Sequence, residues 1–213
     1  MKSMLATTAA VLIAAGAAAP AAFAQDSDWM FRVRALTVMP DEGATISPIG
    51  GSVDISTSIV PEFDITYFLS DHLALELILG VTPHDVKAVN TALGEVDLGD
   101  VWLLPPTLTL QYHFNPGAQI RPYAGAGVNF THFFNSSLPS ASPLASISYG
   151  DSVGFALQAG VDYQINERWF VNFDLKKIWI NTDVTIDAGA LGRVTADVDI
   201  DPWVFGIGFG WRY

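Results

Sequence analysis

Residues 203–213 read WVFGIGFGWRY, and large apolar side chains alternate along them with mostly small ones. The odd positions hold only Trp, Phe, Ile and Tyr, whereas the even positions hold Val, Gly and Arg. Because successive side chains of a β-strand point to opposite faces, this segment predicts a strand with one bulky apolar face. Such a face suits a sheet that meets an apolar medium on its outer side.

The same two-residue period recurs upstream and predicts eight strands in all. The other seven segments are 31–35, 62–69, 73–80, 107–114, 120–134, 153–165 and 169–176. Short turns alternate with longer polar stretches between these strands. The turns are 70–72, 115–118 and 166–168, and the long stretches are roughly 41–59, 83–99, 135–150 and 181–199.

Short turns at one end and long loops at the other are typical of outer-membrane barrels. We therefore predict an all-β fold, an eight-stranded antiparallel transmembrane β-barrel with short periplasmic turns and four longer extracellular loops. Both termini would lie in the periplasm.

The alternative is a soluble barrel such as a lipocalin, with its apolar face inside. The many large aromatic side chains argue against it, because they would not fit an eight-stranded lumen.

The N-terminus has the pattern of a signal peptide. Lys2 supplies a positive charge, residues 5–19 are apolar, and Ala22-Phe23-Ala24 fits a cleavage site. We expect residues 1–24 to be cleaved and residues 25–213 to form the barrel; a retained anchor is the alternative. No later stretch has the roughly 18 apolar residues of a spanning helix.

Net charge and cysteine content exclude two classes of function. The formal net charge is −12, which argues against nucleic acid as a partner because neutralising phosphates requires Lys and Arg. The chain has no cysteine, so it can form neither a disulfide framework nor a thiolate metal site.

Charged residues occupy the face opposite the lipid in the periplasmic half of the predicted strands. Charges of both signs in so narrow a lumen should pair, because an unpaired buried charge is costly. We expect a polar plug that closes the barrel, with a narrow ion path as the alternative. The plug residues are Arg32, Arg34, Asp64, Glu76, Arg121, Asp162, Asp174, Lys176 and Arg212.

Apolar residues occupy the corresponding face in the extracellular half. An apolar cavity above a charged floor suits a ligand that leaves water on entry. Packing of these residues against one another is the alternative. The predicted ligand pathway consists of Leu36, Val38, Ile78, Val101, Leu103, Phe133, Ile178 and Ile180.

Pro105 and Pro106 fall in the upper part of the fourth predicted strand. Neither residue can donate a ladder hydrogen bond, so the barrel wall should be weaker there. A bulge that ends regular pairing is one interpretation. The other is a lateral opening through which a lipophilic molecule leaves the lumen into the bilayer.

Four segments in this order and spacing resemble the OmpW/AlkL family of outer-membrane proteins. They are Leu103-Leu104-Pro105-Pro106-Thr107-Leu108, residues 121–129 (RPYAGAGVN), residues 159–163 (AGVDY) and residues 201–205 (DPWVF). The resemblance covers essentially the whole chain after residue 24. It implies an eight-stranded barrel with a narrow hydrophobic lumen that admits small hydrophobic molecules. The final Trp211-Arg212-Tyr213 resembles the aromatic C-terminal signal of such proteins, so Trp211 and Tyr213 are its expected assembly-signal residues.

Nothing in the sequence points to catalysis. Ser70, Asp71 and His72 are consecutive in a turn, so their side chains diverge and cannot form a relay. The four histidines lack metal-ligand spacing. Residues 125–127 (GAG) lack the third glycine and the helix of a dinucleotide-binding loop. We expect no enzyme, no cofactor and no metal.

These features together predict a channel in the outer membrane of a Gram-negative bacterium for passive uptake of small hydrophobic molecules. Its expected partners are outer-membrane lipid, lipopolysaccharide, the outer-membrane assembly machinery and small hydrophobic ligands. One alternative is a structural or host/phage-interaction barrel that acts through its extracellular loops around a plugged lumen. Another is a small ion channel, which the charged floor disfavours.

Overall fold

The computed structural model describes residues 28–140, 142–189 and 192–213. The predicted signal peptide, residues 1–24, lies outside these residues. Within them, no helix is long and apolar enough to cross a membrane. The strands are β1 (Trp29–Met39), β2 (Gly43–Ser47), β3 (Ser52–Ile55), β4 (Ser58–Phe68), β5 (Leu73–Gly80), β6 (Thr82–Thr91), β7 (Gly94–Leu104), β8 (Thr107–His113), β9 (Ile120–Ser137), β10 (Ser146–Tyr149), β11 (Ser152–Gln164), β12 (Trp169–Ile178), β13 (Asn181–Asp187), β14 (Arg193–Asp199) and β15 (Trp203–Arg212).

Eight strands close into a barrel in the order β1, β4, β5, β8, β9, β11, β12 and β15, and every neighbouring pair is antiparallel. The last strand pairs with the first, with Val33 opposite Phe209, so the barrel wall has no free edge at this seam. The prediction of an eight-stranded antiparallel barrel is confirmed.

The alternation in β15 fits the surface of a barrel that faces lipid. Phe205, Ile207 and Phe209 are each about half exposed on the outer face. On the inner face, a Cβ at Gly208 would clash with the carbonyl oxygen of Val33 across the β1 pairing. Glycine therefore allows the close approach of these two strands.

The two ends of the barrel differ. Short turns join β4 to β5, β8 to β9 and β11 to β12 at one end, which we call the turn end. The chain termini of the described barrel meet there, because the Tyr213 N–H donates to the Trp29 carbonyl at 3.0 Å. The opposite end, which we call the loop end, carries the four long connections.

These long connections form most of an extension of the barrel at the loop end. Strands β10, β13, β14 and β2 make a four-stranded sheet in that order, and β7, β6 and β3 continue the wall from β9. Residues 181–199, predicted as a polar loop, contain β13 and β14. Their alternate residues, Val184 and Val198 among them, are buried on the inner face. The extension therefore adds an apolar interior beyond the eight barrel strands.

Candidate functional site

Arg34 lies at the centre of a buried charge network inside the barrel. Its Nε donates to Glu62 Oε1 at 2.7 Å, and its Nη2 lies 2.7 Å from Asp64 Oδ2. The same guanidinium lies 3.3 Å from Glu76 Oε1 and 3.2 Å from Asp174 Oδ2. One cation thus contacts four carboxylates that come from three different strands.

Arg32 forms a second layer, one inward position nearer the turn end. Its guanidinium contacts Glu76 Oε1 at 2.7 Å and Asp162 Oδ2 at 3.0 Å. The side-chain amides of Gln111 and Gln158 donate to Glu76 Oε2 at 2.7 and 2.8 Å. This carboxylate therefore has charged donors on Oε1 and neutral donors on Oε2, so both oxygens of the buried anion are satisfied.

Lys176 forms the layer of the plug nearest the loop end. Its Nζ donates to Glu62 Oε1 at 3.0 Å and lies 2.7 Å from Asp174 Oδ1. The Tyr123 hydroxyl donates to the other oxygen of Asp174 at 2.6 Å. These contacts span the lumen from β4 to β12, so the charged side chains fill its cross-section.

Arg121 and Arg212 lie apart from this network. The Arg212 guanidinium stacks 4.1 Å from the ring centre of Phe68, and that of Arg121 lies 5.6 Å from the ring centre of Phe170. Neither arginine forms an ion pair with any other residue in the described part of the chain. These two side chains instead form a cation–aromatic layer near the turn end.

The plug contains further side chains that were not predicted, among them Glu62, Gln111, Tyr123 and Gln158. The signal was present for Glu62, because it lies two residues before Asp64 and so shares its inward face. The neutral members are polar residues on inward faces. Their role became visible only when strands from opposite sides of the barrel were brought together.

An apolar cavity of about 240 Å³, which we call the outer chamber, lies inside the extension. Each of the four long connections contributes to its lining, for example with Ile46, Val86, Leu144 and Val184. These residues were not predicted, because their segments have the composition of polar loops. Among the described lining residues none carries a carboxylate, an ammonium or a guanidinium.

A smaller cavity of about 40 Å³, the inner cavity, lies between the outer chamber and the plug. Glu62 and Lys176 line it on the plug side. Of the predicted pathway residues, Val101, Leu103 and Phe133 line the outer chamber. The inner cavity is lined by Leu36, Val38, Ile78, Leu103, Ile178 and Ile180.

Three residues line both cavities: His84, Leu103 and Ile200. We call this junction the neck. Burial lowers the pKa of His84, while a hydrogen bond to the Ser56 carbonyl and the nearby Asp85 act in the opposite direction. The neck therefore has one titratable ring, and its imidazole is neutral at neutral pH.

The hydrogen-bonded wall is interrupted beside the inner cavity. The β5–β8 ladder ends where Ile78 pairs with Thr107, and the β6–β7 ladder begins where Thr82 pairs with Leu103. Residues 79–81 face residues 104–106 across this interval. Pro105 and Pro106 have no N–H to donate there. Both Pro105 and Gly80 line the inner cavity, so the interruption borders the apolar path.

The predicted assembly-signal residues lie at the turn end. Trp211 lies between the rings of Phe31 and Trp169, at centroid distances of 5.3 and 5.8 Å. Tyr213 is 68% exposed.

As for metals, the described residues contain no group of three or more His, Asp or Glu side chains that could hold an ion.

Comparisons with known proteins assign the chain to a family. The family model of the OmpW family matches residues 25–213. An outer-membrane protein of Sinorhizobium fredii, y4mB, is 44% identical over 188 residues, which are 88% of this chain and 80% of that protein. The dibenzothiophene metabolism operon protein PahQ of Pseudomonas aeruginosa is 30% identical over 90% of this chain and 91% of its own.

The crystal structure of the outer-membrane protein OprG from Pseudomonas aeruginosa is similar in fold. It superposes with a TM-score of 0.81 at 31% identity, and the match covers 89% of this chain and 97% of that one. The closed barrel, its aromatic outer face and the family match agree. This chain belongs to the OmpW family of outer-membrane barrel proteins.

Proposed function

We propose that this protein lets small hydrophobic molecules enter the outer membrane passively. The loop end faces the outside of the cell and both termini lie in the periplasm. A molecule enters the outer chamber, passes the neck into the inner cavity and leaves sideways between Gly80 and Pro105. The observation that carries this proposal is the pair of adjoining apolar cavities that ends at a charged plug and at an interrupted wall.

The outer chamber has the size and lining for such a ligand. An apolar cavity of about 150 Å³ is enough to bind benzene in another protein, and the outer chamber measures about 240 Å³. A one- or two-ring hydrocarbon would exchange water for an apolar wall, which is favourable by roughly 25 cal/mol for each Å² removed from water. The name of the relative PahQ places that protein in an operon for metabolism of an aromatic compound.

The plug favours a lateral exit over a route along the barrel axis. A molecule that continued towards the turn end would have to separate Lys176 from Glu62 and Arg34 from its carboxylates. Breaking buried ion pairs costs about 3–5 kcal/mol each. The lateral route needs only the separation of two strands where the Pro residues already leave the ladder open.

The outer surface and the C-terminus suggest further partners. We propose that the exposed aromatic face contacts outer-membrane lipid and that the loop end contacts lipopolysaccharide. We also propose that the assembly machinery recognises the last strand through Trp211 and Tyr213, which lie at the exposed turn end.

The first test compares uptake of naphthalene by cells with and without this protein, with a general porin as the control. Faster uptake is expected only in cells that make this protein, because the path excludes water and the porin offers no apolar cavity. Equal uptake in both strains would contradict the proposal. It would instead favour a role for the loop end in contacts with other surfaces.

A second test addresses the lateral exit. Replacing both Pro105 and Pro106 by Val restores the two missing N–H donors. Because Pro106 already accepts a hydrogen bond from Phe130 of β9, the N–H at position 105 is the one that faces residues 79–81, and it should allow the ladder to close there. We expect naphthalene uptake to fall severalfold while the amount of folded barrel is unchanged. Unchanged uptake by this double variant would rule out an exit between these strands.

A further inference from the structure

His84 and Thr82 place two polar groups on the apolar path. They are two residues apart on β6, so their side chains share its inner face. His84 is 3% exposed and lines both cavities, and Thr82 is 5% exposed and lines the inner one. Polar side chains in such a lining fix the orientation of a ligand when they are few and well placed.

The hydrogen bond of His84 sets its tautomer. Its Nδ1 lies 2.6 Å from the carbonyl oxygen of Ser56, and a carbonyl can only accept. Nδ1 therefore carries the proton. The other ring nitrogen, Nε2, has a free lone pair in the neutral ring, and burial keeps the ring neutral because it lowers the pKa of His84.

Neither Nε2 of His84 nor the hydroxyl of Thr82 has a hydrogen-bond partner among residues 28–140, 142–189 and 192–213. Of the three other hydroxyls in the two cavity linings, two are hydrogen-bonded, and that of Tyr149 in the outer chamber is buried without a partner among the described residues. Thr182 donates to the Gly150 carbonyl at 2.7 Å, and Thr107 donates to the Pro105 carbonyl at 3.0 Å. Because His84 and Thr82 border the cavities, a bound ligand can supply the hydrogen bonds that no described residue makes to these two atoms.

We propose that His84 and Thr82 form a hydrogen-bonding site, the neck site, for small hydrophobic molecules that carry one hydroxyl group. The hydroxyl of an alcohol or a phenol donates to Nε2 of His84 and accepts from the hydroxyl of Thr82. The hydrocarbon part of the ligand lies in the outer chamber, the larger of the two cavities that His84 lines. This inference rests on the proposed function and narrows its ligand class.

The chemistry of the neck selects against other polar groups. A carboxylate would present oxygen lone pairs to the lone pair of Nε2, and both an ammonium and a carboxylate would lose their hydration in an apolar lining. A carbonyl or an ether can accept from Thr82 but cannot satisfy His84. A single hydroxyl can donate to His84 and accept from Thr82, so it satisfies both residues at once.

The test measures binding of naphthalene and 1-naphthol to the purified full-length protein in lipid vesicles, by ligand fluorescence against empty vesicles. The two ligands differ by one hydroxyl. In the unmutated protein we expect 1-naphthol to bind about two- to tenfold more tightly than naphthalene after correction for partition into lipid. His84→Leu should abolish this preference, so that 1-naphthol binds no more tightly than naphthalene.

Three further variants separate the neck site from a general effect on packing. Thr82→Val should reduce the preference. His84→Gln should retain part of it, because the amide can donate to the Ser56 carbonyl and still present an oxygen acceptor. Thr182→Val is the matched control, since its hydroxyl also lines the outer chamber but is already bonded. The preference should survive that change.

A measurement on the unmutated protein avoids any dependence on folding of the variants. The ¹⁵N resonance of His84 Nε2 should move when 1-naphthol is added and stay in place with naphthalene. Binding of both ligands with equal affinity, or a preference that persists in His84→Leu, would overturn the neck site and leave the proposed function intact. Failure of the unmutated protein to bind either ligand would overturn both.

Discussion

Replacing Arg34 by Met is expected to lower the free energy of unfolding by about 3–5 kcal/mol, because it removes the central cation of a buried network. Glu62, Asp64, Glu76 and Asp174 all lie within 3.3 Å of its guanidinium. Met has a similar length but cannot donate, so these carboxylates would repel one another in a site closed to water. Urea titration of the barrel in lipid vesicles, followed by tryptophan fluorescence, measures the change.

Two variants test whether the cost comes from unpaired charge. In the double variant with Arg34→Met and Asp64→Asn, one carboxylate is also removed, so part of the lost stability should return. Lys87→Met breaks an exposed ion pair with Glu95 in the extension and should leave the urea midpoint unchanged. A loss of stability that is equal for Arg34 and Lys87 would show that the network contributes no more than a surface pair.

The barrel was predictable because, in every spanning strand, alternate side chains face the lipid and the lumen. Lipid on one side and a narrow lumen on the other force Phe205 and Phe209 outward and the intervening glycines inward. A register error of one residue would place the aromatic set in the lumen, where it cannot fit. Along these segments, the alternation in the sequence and the narrow lumen therefore require the same side chains to face outward.

The extension was not predictable in the same way, because its strands are polar on the outer face. In residues 181–187, Asp183 and Asp187 lie outward and Val184 and Ile186 lie inward. By composition such a segment resembles a loop. It becomes the wall of a chamber only through pairing with β14, the next strand of the same connection, and with β10, which belongs to a different connection.

The plug and the neck show a second limit of sequence analysis. The inward direction of Arg34 follows from alternation, but its pairing with Glu62 and Asp174 depends on the width of the closed lumen. His84 shares one face of β6 with Thr82, Val86 and Ala88, but only pairing with β7 makes that face the inner one. In β7 itself a bulge at Leu98 interrupts the alternation, so the local pattern does not show which residues of that strand line the chamber.

Replacing Leu103 by Asp is expected to reduce naphthalene uptake to that of cells without the protein, a loss of about tenfold or more. Leu103 is 4% exposed and lines both cavities, so every molecule that crosses the neck contacts its side chain. A carboxylate there keeps water in the neck, and a hydrocarbon would have to displace that water without replacing its hydrogen bonds. Leu36→Asp and Ile178→Asp, in the inner cavity, should act in the same direction.

One matched control changes position 103 without adding a charge, and the other adds the same charge at a position away from the cavities. Leu103→Met preserves an apolar side chain of similar volume and should preserve uptake. Thr195→Asp adds the same negative charge on the exposed face of β14, away from the cavities, and should also leave uptake unchanged. If Leu103→Asp folds and still supports full uptake, the molecules do not cross the neck. If uptake is lost in Thr195→Asp as well, the effect is one of surface charge and the apolar path is not its cause.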